Sequence, residues 1–188
     1  MNLSKLSDEE LASYMQKKSG EGIEYLIDRY EKSLLRYVGY LIKDADTSQD
    51  VVQDTFLAVY ENINSFDTKK KFSSWIYRIA HNKSIDEIKK RAKTITLGER
   101  EIVDERNDAQ RIDKSIDMIR TKQIVGEAVE QLSIKYKEAI ILRYYEEKSY
   151  EDISDICRCP VSTVGVRIRR ALEMIKTKIN IDNIEEYL

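Results

Sequence analysis

The stretch KKKFSSWIYRIAHNKSIDEIKKRAK, residues 69–93, decides how this chain reads. It places three aromatics (Phe72, Trp75, Tyr77) and one amide (Asn82) on a single helix with many cations. Lys69, Lys70, Lys71, Arg78, Lys83, Lys89, Lys90, Arg91 and Lys93 face only Asp86 and Glu87. Nine bases against two acids give +7, inside a chain of net charge −2. Cations alone would grip any duplex phosphate. Rings beside them point to exposed base faces, because stacking needs an unpaired base and is worth about 1–3 kcal/mol per base. The segment is expected to meet DNA whose strands are separating. A solvated basic helix carrying core aromatics is the plainer alternative.

Upstream the pattern is helical as well. Val52, Phe56, Tyr60 and Ile63 recur at helix spacing, with Asp50, Asp54 and Glu61 on another stripe. Ile23, Leu26, Ile27, Tyr30, Leu34 and Val38 form an earlier apolar face, and Ser73 or Ser74 is placed to cap the helix bearing Trp75. Three to four helices on one core are expected over residues 1–93. Residues 94–118 lose the pattern and carry dense mixed charge, which reads as a linker.

Periodicity returns over residues 119–188. Ile124, Val125, Ala128, Val129 and Leu132 suit one helix, and Ala139, Ile140, Leu142 and Tyr144 a second. Ser149 then precedes Tyr150, Glu151 and Asp152, a cap followed by first-turn acids. Tyr150, Ile153 and Ile156 are expected to face inward. Pro160 follows the break at Cys157, Arg158 and Cys159 and suits the first turn of a new helix. On that helix Val161, Val164, Ile168, Leu172, Ile175 and Ile179 form the expected buried face. Ser162, Thr163, Arg167, Arg169 and Arg170 lie away from it. Short helix, tight turn and longer basic helix make a helix-turn-helix, whose second helix enters the major groove. The expected fold class is all-α: two small helical domains joined by a flexible linker, the second a helix-turn-helix.

Composition narrows the function. One Pro and six Gly in 188 residues favour long helices. No apolar run reaches bilayer length, and the N-terminus has no signal-peptide core, so a cytoplasmic protein without membrane insertion is expected. Cys157 and Cys159 form C-x-C, but the single His, His81, is distant in sequence. No metal or other cofactor is expected, and the thiols read as small residues in a turn. Neither a phosphate-binding Gly-rich loop nor a catalytic His/Asp/Cys constellation appears, so no catalytic residue is assigned.

At three places the chain resembles bacterial RNA polymerase sigma factors of the small extracytoplasmic-function (ECF) type, within the sigma-70 family. DVVQDTFLAVYENI, residues 50–63, is similar to the family's segment that docks on the polymerase clamp. Residues 72–93 resemble its promoter-melting and −10-reading segment. LSIKYKEAIILRYYEEKSYEDISDI and CPVSTVGVRIRRALEMI, residues 132–156 and 159–175, resemble its −35-reading domain.

The resemblance implies roles. Residues 1–93 would bind polymerase and melt the −10 element; residues 119–188 would read the −35 element. Asp50, Gln53 and Asp54 would bind the clamp. Asn82, Ser84 and His81 would sit by a flipped nontemplate base, with Lys83, Lys89, Lys90, Arg91 and Arg78 on the same −10 surface and Trp75 supporting it from the core. Ser149, Arg158, Ser162, Thr163, Arg167, Arg169 and Arg170 would serve the −35 duplex. The family's turn often has Gly where Arg158 stands, and often Lys where Gly165 stands. Implied partners are core RNA polymerase through clamp and flap, promoter DNA, and an anti-sigma factor able to hold the chain at the membrane. No long C-terminal sensing domain is expected. A free-standing helix-turn-helix regulator would leave residues 50–93 without a purpose. A protein-binding helical adaptor would lack salt-dependent DNA affinity.

Overall fold

The computed structural model describes residues 2–18, 20–95, 114–179 and 187–188. Among them every regular element is helical: α1 (Asp8–Lys17), α2 (Ile23–Ile42), α3 (Ala45–Asn62), α4 (Phe72–Ile95), α5 (Lys114–Glu130), α6 (Ile134–Ile140), α7 (Tyr150–Cys157) and α8 (Val161–Ile179). Of the segment expected as a linker, 94–95 end α4 and 114–118 begin α5; residues 96–113 lie outside the described residues.

Local chemistry starts and stops these helices. Ser7 Oγ accepts from Glu10 N and Glu10 accepts from Ser7 N, a capping box for α1. Asp44 accepts from Thr47 N at 2.9 Å and caps α3. At α4 the sequence expectation fails. Phe72 opens the helix, so Ser73 and Ser74 already lie inside it, and Glu9 of α1 accepts the Phe72 N–H at 2.9 Å instead. A side chain 63 residues away supplies the cap, which no local pattern could show.

The N-terminal lobe packs α1–α4 around Leu11, Met15, Leu26, Leu34, Val38 and Ile76, all fully buried. Each contributes about 1.5–3 kcal/mol by leaving water. Phe66, Phe72 and Trp75 form a ring cluster with centroids 5.1–5.6 Å apart. Gly20 sits at φ +85°, and a Cβ there would lie 2.2 Å from the Tyr60 ring, so the turn before α2 needs glycine on both counts.

The C-terminal lobe packs α5, α6 and α8 around Val125, Ile140, Ile168 and Ile175. After α6 the chain widens into five residues of π-helix, Ile141–Tyr145. The α7–turn–α8 unit is the expected helix-turn-helix. Ser149 caps α7 in a capping box with Asp152. Arg158 ends it at φ +49°, the left-handed region that favours Gly, and Ser154 Oγ ties the turn to Cys159 O at 2.6 Å. Two side chains depart from expectation. Tyr150 turns outward beneath Arg143, and Val161 is exposed at the open first turn of α8. Both positions lie at helix starts, where fewer neighbours surround the apolar stripe.

The two lobes pack against each other, α7 along α4 and α6 with its π-turn against α2.

Candidate nucleic-acid interface and the contact that covers it

On α3, Asp50, Gln53 and Asp54 are exposed, opposite the buried Val51, Val52, Thr55 and Phe56. Leu57 and Tyr60 are exposed on the same helix. This is an apolar and acidic strip on the outer face of the lobe, with the Tyr60 ring lying against Gly20 at its edge. On α8, Ser162, Arg169 and Arg170 are exposed and Thr163 and Arg167 partly so, while Val164, Ile168, Ala171 and Ile175 point inward. Arg158 is exposed at the turn. Ser149, half-buried, is occupied as the α7 cap.

The α4 residues divide into two groups. Asn82, Lys89 and Lys90 are exposed and Lys83 partly so, Lys83 lying 3.6 Å from Asp54 and Lys90 3.5 Å from Glu87. Arg91 is held by Asp44 at 3.1 Å, Glu87 at 3.2 Å and the Thr47 hydroxyl. Hydrogen bonds from the Thr47 side chain and backbone, then Arg91, pull Asp44 down to a pKa of about 2. The other residues face inward or toward the second lobe. Trp75 is buried in the aromatic cluster, Phe72 and Tyr77 are buried too, and none of the three offers a face for stacking in this arrangement. Ser84 is fully buried and its hydroxyl has no hydrogen-bond partner among the described residues. The loop before α4 and the start of α4 enclose a cavity of about 120 Å³ lined by Phe66, Lys70, Lys71, Trp75, Arg78 and Asp155.

Between the lobes, charge is sorted by sign. The N-terminal lobe supplies Arg36, Lys43, Lys71 and Arg78; the C-terminal lobe answers with acids. Arg36 Nε meets Glu146 at 2.7 Å, Lys43 meets Glu130 at 2.5 Å, Lys71 meets Asp152 at 2.9 Å and Arg78 meets Asp155 at 3.0 Å. Tyr37 donates to Glu138 at 2.5 Å and Tyr77 to Glu146 at 2.6 Å, and both tyrosines are buried. His81 Nδ1 closes on the same Glu138 oxygen. Lys148 lies 4.2 Å over the Tyr77 ring.

The lysines of the two lysine pairs are more than half exposed, so solvent screens their attraction. The side chains of Glu138 and Glu146 are 4% and 2% exposed, and desolvated carboxylates make the more valuable hydrogen bonds. Burial by itself would raise Asp152 and Glu130, but donors from Lys71 and Ser149, and from Lys137 and Lys43, outweigh it and hold both carboxyls low. Burial, then Glu146, pushes the Tyr77 phenol well above its ordinary value, so it stays a donor.

Of the sequence-predicted −10 residues, Arg78 and His81 are thus engaged by the second lobe. Reading the sequence missed their partners Glu138, Glu146, Asp152 and Asp155. One signal was available: Glu138 stands at helix spacing from Ile141, Leu142 and Tyr145, a charge on an apolar stripe. It also missed that the fold brings His81, Glu138 and Cys157 together, with one donor atom of each within 4.8 Å of the others.

Comparison with known proteins agrees with this architecture. The Sigma-70 region 2 family model matches residues 26–94 and the Sigma-70, region 4 model residues 122–175. The ECF RNA polymerase sigma-E factor of Haemophilus influenzae is 31% identical over 182 residues, covering 93% of this chain and 96% of that protein. ECF RNA polymerase sigma factor SigW of Bacillus subtilis is 28% identical over 163 residues, 82% of this chain and 87% of its own. Among solved structures, CnrH in complex with the cytosolic domain of CnrY superposes with a TM-score of 0.68 at 22% identity, covering 94% of this chain and 99% of that one. RpoE of Bartonella quintana in complex with the anti-sigma factor NepR gives 0.66 at 22%, covering 85% and 98%. At these identities the structures speak for the fold. Two family regions in order, and a relative matched nearly end to end, show that the chain belongs to the ECF group of the sigma-70 family and is a transcription initiation factor that directs RNA polymerase to promoters.

Proposed function

We propose that the exposed strip of α3, with Asp50, Gln53 and Asp54, docks on the polymerase clamp. In the same proposal the outer face of α8 reads the −35 duplex. Arg167, Arg169 and Arg170 suit guanine edges and phosphates, Ser162 and Thr163 suit phosphate, and Arg158 reaches the backbone from the turn. Asn82 leads the −10 surface, beside a flipped nontemplate base, with Lys83, Lys89 and Lys90 on phosphate. Trp75 supports that surface from within the core, and Ser84 acts there only if α4 exposes it. Promoter opening follows from tighter binding of the unwound strand than of duplex, with no catalytic step, because a ligand moves an equilibrium only by its differential affinity.

The observation that carries this reading is the contact between α4 and α7. There Arg78 of the −10 surface meets Asp155 of α7, and beside it His81 meets Glu138 of α6, both acids of the promoter-reading lobe. In the closed form Arg78 and His81 are held by the second lobe, so the whole −10 surface cannot meet DNA. Polymerase binding therefore has to part the lobes, and an anti-sigma partner would keep them from the template. No helix among the described residues is long and apolar enough to cross a membrane. The proposed setting is the cytoplasm, with any membrane tether supplied by that partner.

Run-off transcription with core polymerase and a promoter library tests the reading. Specific transcripts are expected from a subset of templates. The Asp50, Gln53 and Asp54 triple alanine variant should lose polymerase association while keeping its helix content. Asn82→Ala should lower thymine reactivity to permanganate in the open complex more than it lowers recruitment. An inert chain on every template would refute the assignment.

A further inference from the structure

We infer that His81, Glu138 and Cys157 form a site for a thiophilic divalent cation, zinc by preference, that latches the two lobes. His81 comes from α4, Glu138 from α6 and Cys157 from the last turn of α7. One imidazole nitrogen, one carboxylate oxygen and one sulfur lie within 4.8 Å of one another. Zinc takes this donor set, at about 2.0–2.3 Å from each ligand in a tetrahedral arrangement, and thiolate with imidazole selects it over magnesium or calcium. The three atoms already share one small volume, so binding needs only modest side-chain adjustment. The ion would displace the proton between His81 Nδ1 and Glu138 and the thiol proton, releasing both to solvent. Tyr37, donating to Glu138 at 2.5 Å, orients the carboxylate from outside the site.

The ligands span both lobes, so a complete site exists only in the closed form. An ion that binds one conformer shifts the equilibrium toward it by mass action, about 100-fold at a concentration 100 times its Kd. Metal would therefore oppose exposure of the −10 surface, and its loss would release it.

The test uses the full-length chain, stripped with chelator and titrated with Co²⁺ as the spectroscopic probe. One equivalent should raise a thiolate-to-cobalt charge-transfer band. Cys157→Ser and His81→Gln, both near-isosteric, should abolish the band or weaken binding by more than about 100-fold, since even outer-sphere partners of a metal ligand are worth about 10–100-fold. Circular dichroism confirms that the variants fold. In a second arm, Zn²⁺ should reduce the radius of gyration of the native chain in high salt and leave that of His81→Gln unchanged. A native chain that raises no band, or a band that survives His81→Gln, overturns the site. The second result would mark the C-x-C pair as the ligand instead. Binding without compaction overturns the latch. Neither arm involves polymerase or DNA, so failure here is separable from failure of the promoter-reading roles.

Discussion

Tyr77→Phe should open the lobes without harming either one. The phenol is buried and donates to Glu146 at 2.6 Å across the interface. Glu146 has one other close donor among the described residues, Arg36 Nε at 2.7 Å. Removing the hydroxyl leaves a carboxylate that is 2% exposed with part of its solvation missing. A hydrogen bond to a charged group is worth about 1.5–3 kcal/mol, and the open form restores that solvation with water. The closed-to-open ratio should therefore fall by roughly 10- to 150-fold. Cys157 reports it, because its sulfur lies against His81 of the other lobe. In a Cys159→Ser background, with chelator present, the rate of Cys157 alkylation is proportional to the open fraction when opening is fast. It should rise by the same factor in Tyr77→Phe. Tyr30→Phe is the control: that phenol bonds Asp8 inside the N-terminal lobe, so its loss should lower stability and leave alkylation unchanged. Equal alkylation rates in Tyr77→Phe and the parent would refute the claim that buried carboxylates hold the lobes together.

Ser84→Ala should raise stability by about 1 kcal/mol, read as a higher thermal midpoint, because it removes a buried hydroxyl with no partner among the described residues; a loss would mean that the hydroxyl is satisfied in solution. Gly165→Ala should also stabilise by about 1 kcal/mol, seen in urea denaturation, since the added Cβ would meet only Tyr150 at 3.5 Å and the position is helical. Acidification should part the lobes before it melts them. Asp152 and Glu130 are both held below their ordinary values, so their contribution is full above about pH 5 and is lost as pH falls through the lowered values. Scattering should show expansion below pH 4 ahead of the loss of helical dichroism, and simultaneous changes would contradict this.

The helices were legible because their signals are local. The Ser149 cap, the break before Pro160 and the apolar stripe of α8 all lie within one or two turns of what they control. Arg158 at positive φ was legible too, as a position where Gly would be at ease. What escaped depends on contacts between distant segments. Glu9 caps α4 from another helix. The rings of Phe72 and Trp75, legible as base-stacking candidates, are consumed by Phe66. Cys157 and His81 looked too far apart for joint chemistry until α7 lay along α4. Spacing reveals which face of a helix is apolar and says little about which lobe covers a cationic face.

That limit has a physical source in the charges themselves. A carboxylate and a phosphate oxygen make the same demand on a guanidinium or an ammonium group. A surface built to hold nucleic acid is therefore complementary to any acidic surface the chain can fold onto it. Lys71, Arg78 and Arg36 meet Asp152, Asp155 and Glu146 for the reason they would meet a DNA backbone. Binding to DNA then exchanges one set of anions for another. Each cation already paired with an acid adds less to affinity than a free one would, and its share of the salt dependence shrinks accordingly. Among the described residues, Asn82 and Lys89 are exposed beyond the contact and make no such exchange with the second lobe. In the proposed reading these two can meet DNA while the lobes are still closed, so encounter need not wait for opening, whereas full engagement of α4 must.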